Sequence, residues 1–231
     1  MNKERGLDAG EFHVKELQYL AKIEKLEKEL KNMPRFRMDD QLPSLSKYIK
    51  TPTPPIMCDL GFEYERLGQT ASAIGYYHKC AERSSDDGLA YEALLRIAIC
   101  YDKQGERKAH EKNTLLMAIA LQPERPEGYF LLCMLLERYG DVHWWENYTY
   151  ACIGHTLKES EVPLLRDINY PGTKFFLFQQ AVCLWWLGRF DEARTLLTKL
   201  DKGGYDYPDQ YTTLIKSNLE TLENNQRAVN D

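Results

Sequence analysis

The amino-acid sequence predicts an all-α fold in which about four helical hairpins stack side by side as a solenoid. Two observations carry this prediction. Between residues 56 and 222, apolar residues recur at the spacing of α-helices, and no segment alternates in the manner of a β-strand. The same stretch contains four similar phrases, each built around a glycine, and internal repeats of this length are typical of stacked hairpins.

The composition fits a folded chain without a membrane span. Of 231 residues, 43% are hydrophobic, yet no run approaches the length of a transmembrane helix, and the N-terminal segment lacks the apolar stretch of a signal peptide. The net charge of −5 argues against general nucleic-acid binding, which needs clustered positive charge.

The cysteines point to a reducing compartment. None of the six belongs to a Cys-x-x-Cys pair, and most lie among apolar residues. We therefore expect buried free thiols in a cytoplasmic protein, whereas the alternative, a zinc site, would need paired spacing.

Three regions follow one another along the chain. Residues 1–33 are charged, with an amphipathic helix predicted over 11–33 that either docks on the remaining chain, stays solvated, or joins two copies of the protein. Its apolar stripe consists of Ile23, Leu26, Leu30 and Met33. Five prolines in residues 34–55 predict a linker, held to the surface by Phe36, Leu42, Leu45, Tyr48 and Ile49. Residues 56–231 form the predicted repeat domain, in which 209–223 cap the end of the stack.

The four phrases define the repeat. They are LGFEYERLGQTASAIGYYHKCA, IAICYDKQGERKAHEKNTLLMAIALQP, LCMLLERYGDVHWWENYTYACIG and QAVCLWWLGRFDEARTLLTKL. Each has a turn glycine between two helical stretches, at Gly68, Gly105, Gly140 and Gly188. Glycine suits this position because it ends a helix in a left-handed conformation without a Cβ clash. The last interval is longer and holds an insertion over 157–173, expected either to project and touch a ligand or to pack as a surface loop.

These phrases resemble the tetratricopeptide repeat (TPR), a helix–turn–helix unit with small residues where its helices cross. The residues that carry the resemblance are Leu60, Gly61, Tyr64, Ala73, Tyr77 and Cys80 in the first unit; Ala98, Tyr101, Ala118 and Pro123 in the second; Tyr129, Leu132, Cys133 and Ala151 in the third; and Ala181, Gly188 and Ala193 in the fourth. The resemblance implies a solenoid whose first helices line a concave groove.

A narrower resemblance concerns phrases such as NYPGTKFFLFQQAVCLWWLG. These are similar to TPR modules of bacterial and marine-phage proteins associated with glycosyltransferases, which implies a chain made in a bacterial cytoplasm. This chain departs from a fused enzyme because it has no room for the catalytic domain and no Asp-x-Asp at a strand end.

Catalytic motifs are not found in the sequence. It has no G-x-S-x-G, H-E-x-x-H or phosphate-binding glycine loop, and its five histidines are scattered. We therefore predict that the protein is not an enzyme and needs no metal or cofactor.

One face of each first helix is the candidate binding surface. By the alignment this face comprises Phe62, Glu65, Arg66, Ile99, Asp102, Lys103, Met134, Glu137, Arg138, Val182, Trp185 and Trp186. Its charges either hydrogen-bond an extended peptide or a glycan, or pair with each other across the stack. Its tryptophans either anchor a ligand or belong to the core.

The leading hypothesis is a non-catalytic scaffold that binds a protein or peptide partner in the groove. Two alternatives remain open: an accessory or targeting module of a glycosyltransferase system, and a phage structural or assembly protein that oligomerises through residues 11–33.

Overall fold

A computed structural model describes residues 22–23, 41–140, 143–203 and 209–230, and for 209–210 and 223–230 it describes the backbone alone. The chain divides into two compact units, Met1–Gln41 and Leu42–Asp231. In the first unit Lys22, Ile23 and Gln41 are described, and all three are helical. The remaining positions of the predicted amphipathic helix, together with Phe36, lie outside the described residues.

The second unit confirms the predicted all-α solenoid. Its described residues form ten helices and no strand. In chain order they are α1 Pro43–Lys50, α2 Pro54–Arg66, α3 Thr70–Arg83, α4 Asp87–Gln104, α5 Lys108–Leu121, α6 Pro126–Tyr139, α7 Trp144–Thr156, α8 Phe175–Trp186, α9 Phe190–Lys202 and α10 Asp209–Asn230. The pairs α2–α3, α4–α5, α6–α7 and α8–α9 are repeats 1 to 4. Each packs against the next, and α10 packs on α9 as the predicted cap.

All four turn glycines have the positive φ that the sequence predicts. Their φ angles are 72° at Gly68, 68° at Gly105, 79° at Gly140 and 75° at Gly188. A residue with a Cβ is strained in this region, so glycine fixes where each first helix ends.

The stretch predicted as a linker, 34–55, contains structure in its described part. Helix α1 lies within it, and α2 begins at Pro54 rather than at 56. Pro43 and Pro54 occupy the first turns of these helices, where a missing N–H costs nothing, so they start helices as well as interrupt them. Leu42 is buried and the carboxylate of Glu63 accepts from the Ser44 N–H and hydroxyl, which fixes α1 on α2.

Small residues lie where the first helix of each repeat crosses the second. Gly61, Ala98, Cys133 and Ala181 all precede their turn glycine by seven positions, and all are buried. At Gly61 a Cβ atom would lie 2.8 Å from the ring of Tyr77. The two helices can therefore approach closely only because this position carries little or no side chain.

In each second helix, three residues at the same spacing face the interior. The buried sets are Ala73, Tyr77 and Cys80; Glu111, Leu115 and Ala118; Asn147, Ala151 and Gly154; and Ala193, Leu197 and Leu200. The first member follows its turn glycine by five, six, seven and five positions in repeats 1 to 4. Longer turns in repeats 2 and 3 thus shift the helix, and two polar residues reach positions that repeats 1 and 4 fill with alanine.

The described part of the chain contains no helix that is both long and apolar enough to cross a bilayer. The six cysteines are free, and all except Cys152 are buried. Burial raises the pKa of the Cys100 and Cys183 thiols to about 12, so they act as small apolar side chains.

Substitution of Gly61 by alanine should destabilise the protein by about 1–3 kcal/mol, because the new methyl group overlaps the Tyr77 ring. Gly75 on the outer face of α3 is the matched control, since a Cβ there meets nothing within 4 Å. Gly75→Ala should stabilise the helix by about 0.5–1 kcal/mol. Urea denaturation measures both values, and equal effects of the two substitutions would contradict the close crossing.

Candidate partner-binding groove

The first helices α2, α4, α6 and α8 lie next to one another, and the surface that they share is called the groove here. Four apolar side chains run along it, each six positions before a turn glycine: Phe62, Ile99, Met134 and Val182. All four are half-buried. The groove therefore has an apolar floor with charged residues beside it.

Most of the predicted groove charges pair with each other from repeat to repeat. The Glu65 carboxylate lies 2.8 Å from Lys103 Nζ, and the Asp102 carboxylate lies 3.0 Å from the Arg138 guanidinium. In both cases an acid of one repeat meets a base of the next repeat. Glu65 is buried and also accepts a hydrogen bond of 2.8 Å from the Tyr77 hydroxyl. We call this series the charge ladder.

The charge ladder ends at repeat 4. Lys103 and Arg138 stand two positions before their turn glycines, and the equivalent residue of repeat 4 is Trp186. Glu137 accepts a hydrogen bond of 3.1 Å from Gln179 Nε2. Its carboxylate forms no ion pair with any residue that the structure describes, unlike those of Glu65 and Asp102. Arg66, at the other end of the ladder, is exposed.

Aromatic side chains surround the point where the ladder ends. The Trp186 side chain is 57% exposed and stacks on the buried Trp144, with ring centroids 5.3 Å apart. Trp185 is half-buried and meets the Phe190 ring edge-on. Trp185 and Trp186 line a cleft of about 280 Å³ between α8 and α10. The cleft's other lining residues are Ala181, Val182, Leu197, Asn218 and Thr221.

The insertion 157–173, called the strap here, crosses the groove at repeats 1 and 2. Arg166 of the strap forms ion pairs with Asp59 of α2 and Glu92 of α4. Its guanidinium also lies 4.8 Å from the centre of the Phe62 ring. Arg96 of α4 donates a hydrogen bond of 2.7 Å to the Asp167 carbonyl. The predicted groove residue Phe62 is thus in contact with the strap.

Sequence reasoning predicted the insertion but not its position. The contacts of Arg166 with Glu92 and Asp59 join residues 74 and 107 positions apart, and no periodicity reports such pairs. One signal was present. The strap phrase VPLLRDI holds an arginine among apolar residues, and α4 holds Glu92 on an otherwise apolar stretch, so two charges of opposite sign needed partners.

Glu111 lies near the groove and has a raised pKa. It is buried between α5 and α6 with its carboxylate 2.6 Å from the Arg138 guanidinium. Burial raises the pKa of Glu111 to about 7 although the charge of Arg138 opposes the shift, and the neighbouring Asp102 raises it further.

Comparison with known proteins confirms a tetratricopeptide repeat in repeat 4. A tetratricopeptide repeat family model matches residues 176–202, which is most of repeat 4. The crystal structure of MamA superposes with a TM-score of 0.51 at 17% identity, covering 77% of this chain and 85% of that one. The structure of a Podosopora anserina protein described as a kinesin light chain with nearly identical TPR-like repeats gives a TM-score of 0.52 at 14% identity, covering 74% and 87%. These likenesses show the fold. No curated protein sequence matches the chain significantly.

The raised pKa of Glu111 predicts a pH-dependent stability. The folded state holds the proton more tightly than the unfolded state, whose glutamate titrates near 4.5. The free energy of unfolding should therefore fall as pH rises from about 4.5 to about 7. Glu111→Gln should remove this fall. Urea denaturation of both proteins at about pH 5 and about pH 8 measures it. An unchanged pH dependence in the variant would show that other groups cause it.

Proposed function

We propose that this chain, a tetratricopeptide-repeat solenoid, is a non-catalytic scaffold that binds an extended segment of a partner protein in its groove. The binding surface is the set of groove residues named above. Repeats 3 and 4 contribute most of the binding free energy. The observation that carries the proposal is the end of the charge ladder, where the Glu137 carboxylate has no ion pair among the described residues and the exposed Trp186 replaces the base of the earlier repeats.

The charge ladder explains why the affinity should lie there. Glu65, Asp102, Lys103 and Arg138 neutralise one another, so a partner that met them would have to compete with existing ion pairs. Glu137 has a hydrogen bond from Gln179 but no ion pair in the described residues. A basic side chain of the partner would gain an ion pair at Glu137 without breaking one.

The tryptophans supply the second half of the site. Trp186 follows Gln179 by seven positions on α8, which is about 10 Å along a helix and about three residues of an extended peptide. A partner segment with a basic residue and, a few positions away, an apolar residue would therefore reach both Glu137 and the cleft beside Trp185. Buried aromatic anchors of this kind dominate the energy of many interfaces.

The alternatives remain hypotheses drawn from the sequence. A glycan could also stack on an indole ring, so a glycan ligand is an outcome of the test below. The glycosyltransferase-associated and phage assembly roles rest on resemblance alone, and the helix 11–33 proposed to join two copies falls mostly outside the described residues.

The test is affinity capture from the native host followed by calorimetry with each captured protein. Trp186→Ala should weaken binding by about 2 kcal/mol or more, which is about 30-fold, because an interface anchor is removed. Glu137→Gln should weaken binding and reduce its salt dependence, because the carboxylate charge is lost while the hydrogen bond from Gln179 is kept.

Trp145→Ala is the matched control, since Trp145 is 59% exposed but does not line the cleft. It should bind as the unchanged protein does. Thermal melting controls for folding, because Trp186→Ala also removes the stack on Trp144, worth about 0.5–1.5 kcal/mol. Equal binding by the Trp186 and Trp145 variants would reject the cleft as the site. Capture of glycans alone would show that the ligand is a glycan and not a protein.

A further inference from the structure

The strap holds an arginine in a site built from two helices of the groove. The Arg166 side chain is only 13% exposed, and it contacts the carboxylates of Asp59 and Glu92 and the ring of Phe62. Its Nη1 atom also lies 3.4 Å from the Cys58 sulfur. The site thus offers a guanidinium two charges, an aromatic face and a thiol, and it excludes most water.

The strap backbone is bound as well as its side chain. The Leu165 N–H donates to a carboxylate oxygen of Glu92 at 2.5 Å, and Arg96 donates to the Asp167 carbonyl at 2.7 Å. These bonds hold the main chain on either side of an arginine. Any segment with an arginine in that setting could make them, because none depends on the identity of the flanking side chains.

The strap fills its part of the groove incompletely. Val162 and Leu165 are 69% and 72% exposed, although both are large apolar residues. A cavity of about 220 Å³ remains where the strap passes Leu89, Glu92 and Arg125. Leu164 and Ile168 on either side of Arg166 pack against the core, so the strap is held by apolar as well as polar contacts, and a competing segment would need an arginine between apolar residues to replace them.

The buried carboxylate of Glu92 fixes what a competitor must carry. Glu92 is 2% exposed, and Arg166 is the cation that pairs with it among the described residues. Release of the strap without a replacement would leave a buried charge unpaired, at a cost of several kcal/mol. Only a segment that brings its own cation can take the strap's place without that cost.

We propose that the strap is an internal pseudo-ligand that occupies the groove at repeats 1 and 2. It is displaced by a partner segment that carries an arginine between apolar residues. This inference rests on the proposed function, because it assigns the other half of the same groove. The partner would then bind with basic residues at both Glu92 and Glu137.

A peptide of residues 161–168, EVPLLRDI, tests the proposal without any partner. Fluorescence anisotropy would compare its binding to the full chain and to the Arg166→Ala variant. The variant should bind at least about tenfold more tightly, because its own strap no longer competes. Leu165→Ala is the matched control, since Leu165 is exposed and keeps its backbone bond, and it should bind like the unchanged protein.

Two further measurements keep the test decisive if the Arg166 variant does not fold. Excess peptide should speed hydrogen exchange of the strap amides in the unchanged protein, whereas a peptide with alanine in place of its arginine should not. Equal affinity of the unchanged protein and the Arg166 variant, or exchange that both peptides leave unaltered, would overturn the proposal. Such a result would leave the Trp186 and Glu137 site intact, just as failure there would leave the strap result standing.

Discussion

The close crossing of two helices within each repeat is the constraint on which the remaining structure depends. Gly61 and its counterparts Ala98, Cys133 and Ala181 permit a separation that a larger side chain would prevent. Because one hairpin cannot bury its apolar face alone, each must pack on the next, and the first helices come to lie side by side. Residues at equal distances from the turn glycines then meet in rows, which is how the apolar floor and the charge ladder arise.

The positions nearest the turn glycines could be predicted from the sequence, because they repeat at fixed intervals. The turn glycines with positive φ, the small crossing residues and the rows of groove side chains are all of this kind. The second helices of repeats 2 and 3 were harder, because turns of different length move Glu111 and Asn147 into the interior. The strap could not be placed, since its partners are distant in sequence and it belongs to no repeat. Helix α1 could not be predicted, because prolines such as Pro43 and Pro54 can start a helix as well as interrupt one.

Polar residues in the interior mark where the repeats differ. Asn147 Nδ2 donates to the Cys133 carbonyl at 3.2 Å, and Glu111 accepts from the Arg138 guanidinium, so each of these two residues has a specific bond between helices. Alanine at the same positions in repeats 1 and 4 makes no such bond. These bonds fix the relative position of particular helices, and in repeat 3 they lie next to the end of the charge ladder. Repeat 3 therefore combines an unusual turn with part of the proposed binding surface.

The strap alters how the whole solenoid should fold and unfold. In a stack of repeats each unit usually contacts only its neighbours, so stability is a sum along a line and the ends can fray independently. Here Arg166, which follows repeat 3, is bonded to Asp59 in repeat 1, 107 residues away. This bond therefore links the segment after repeat 3 directly to repeat 1. The first repeat cannot open without releasing the strap, and the chain must close a long loop before the bond forms, so folding should be slower and more cooperative than in a simple linear array.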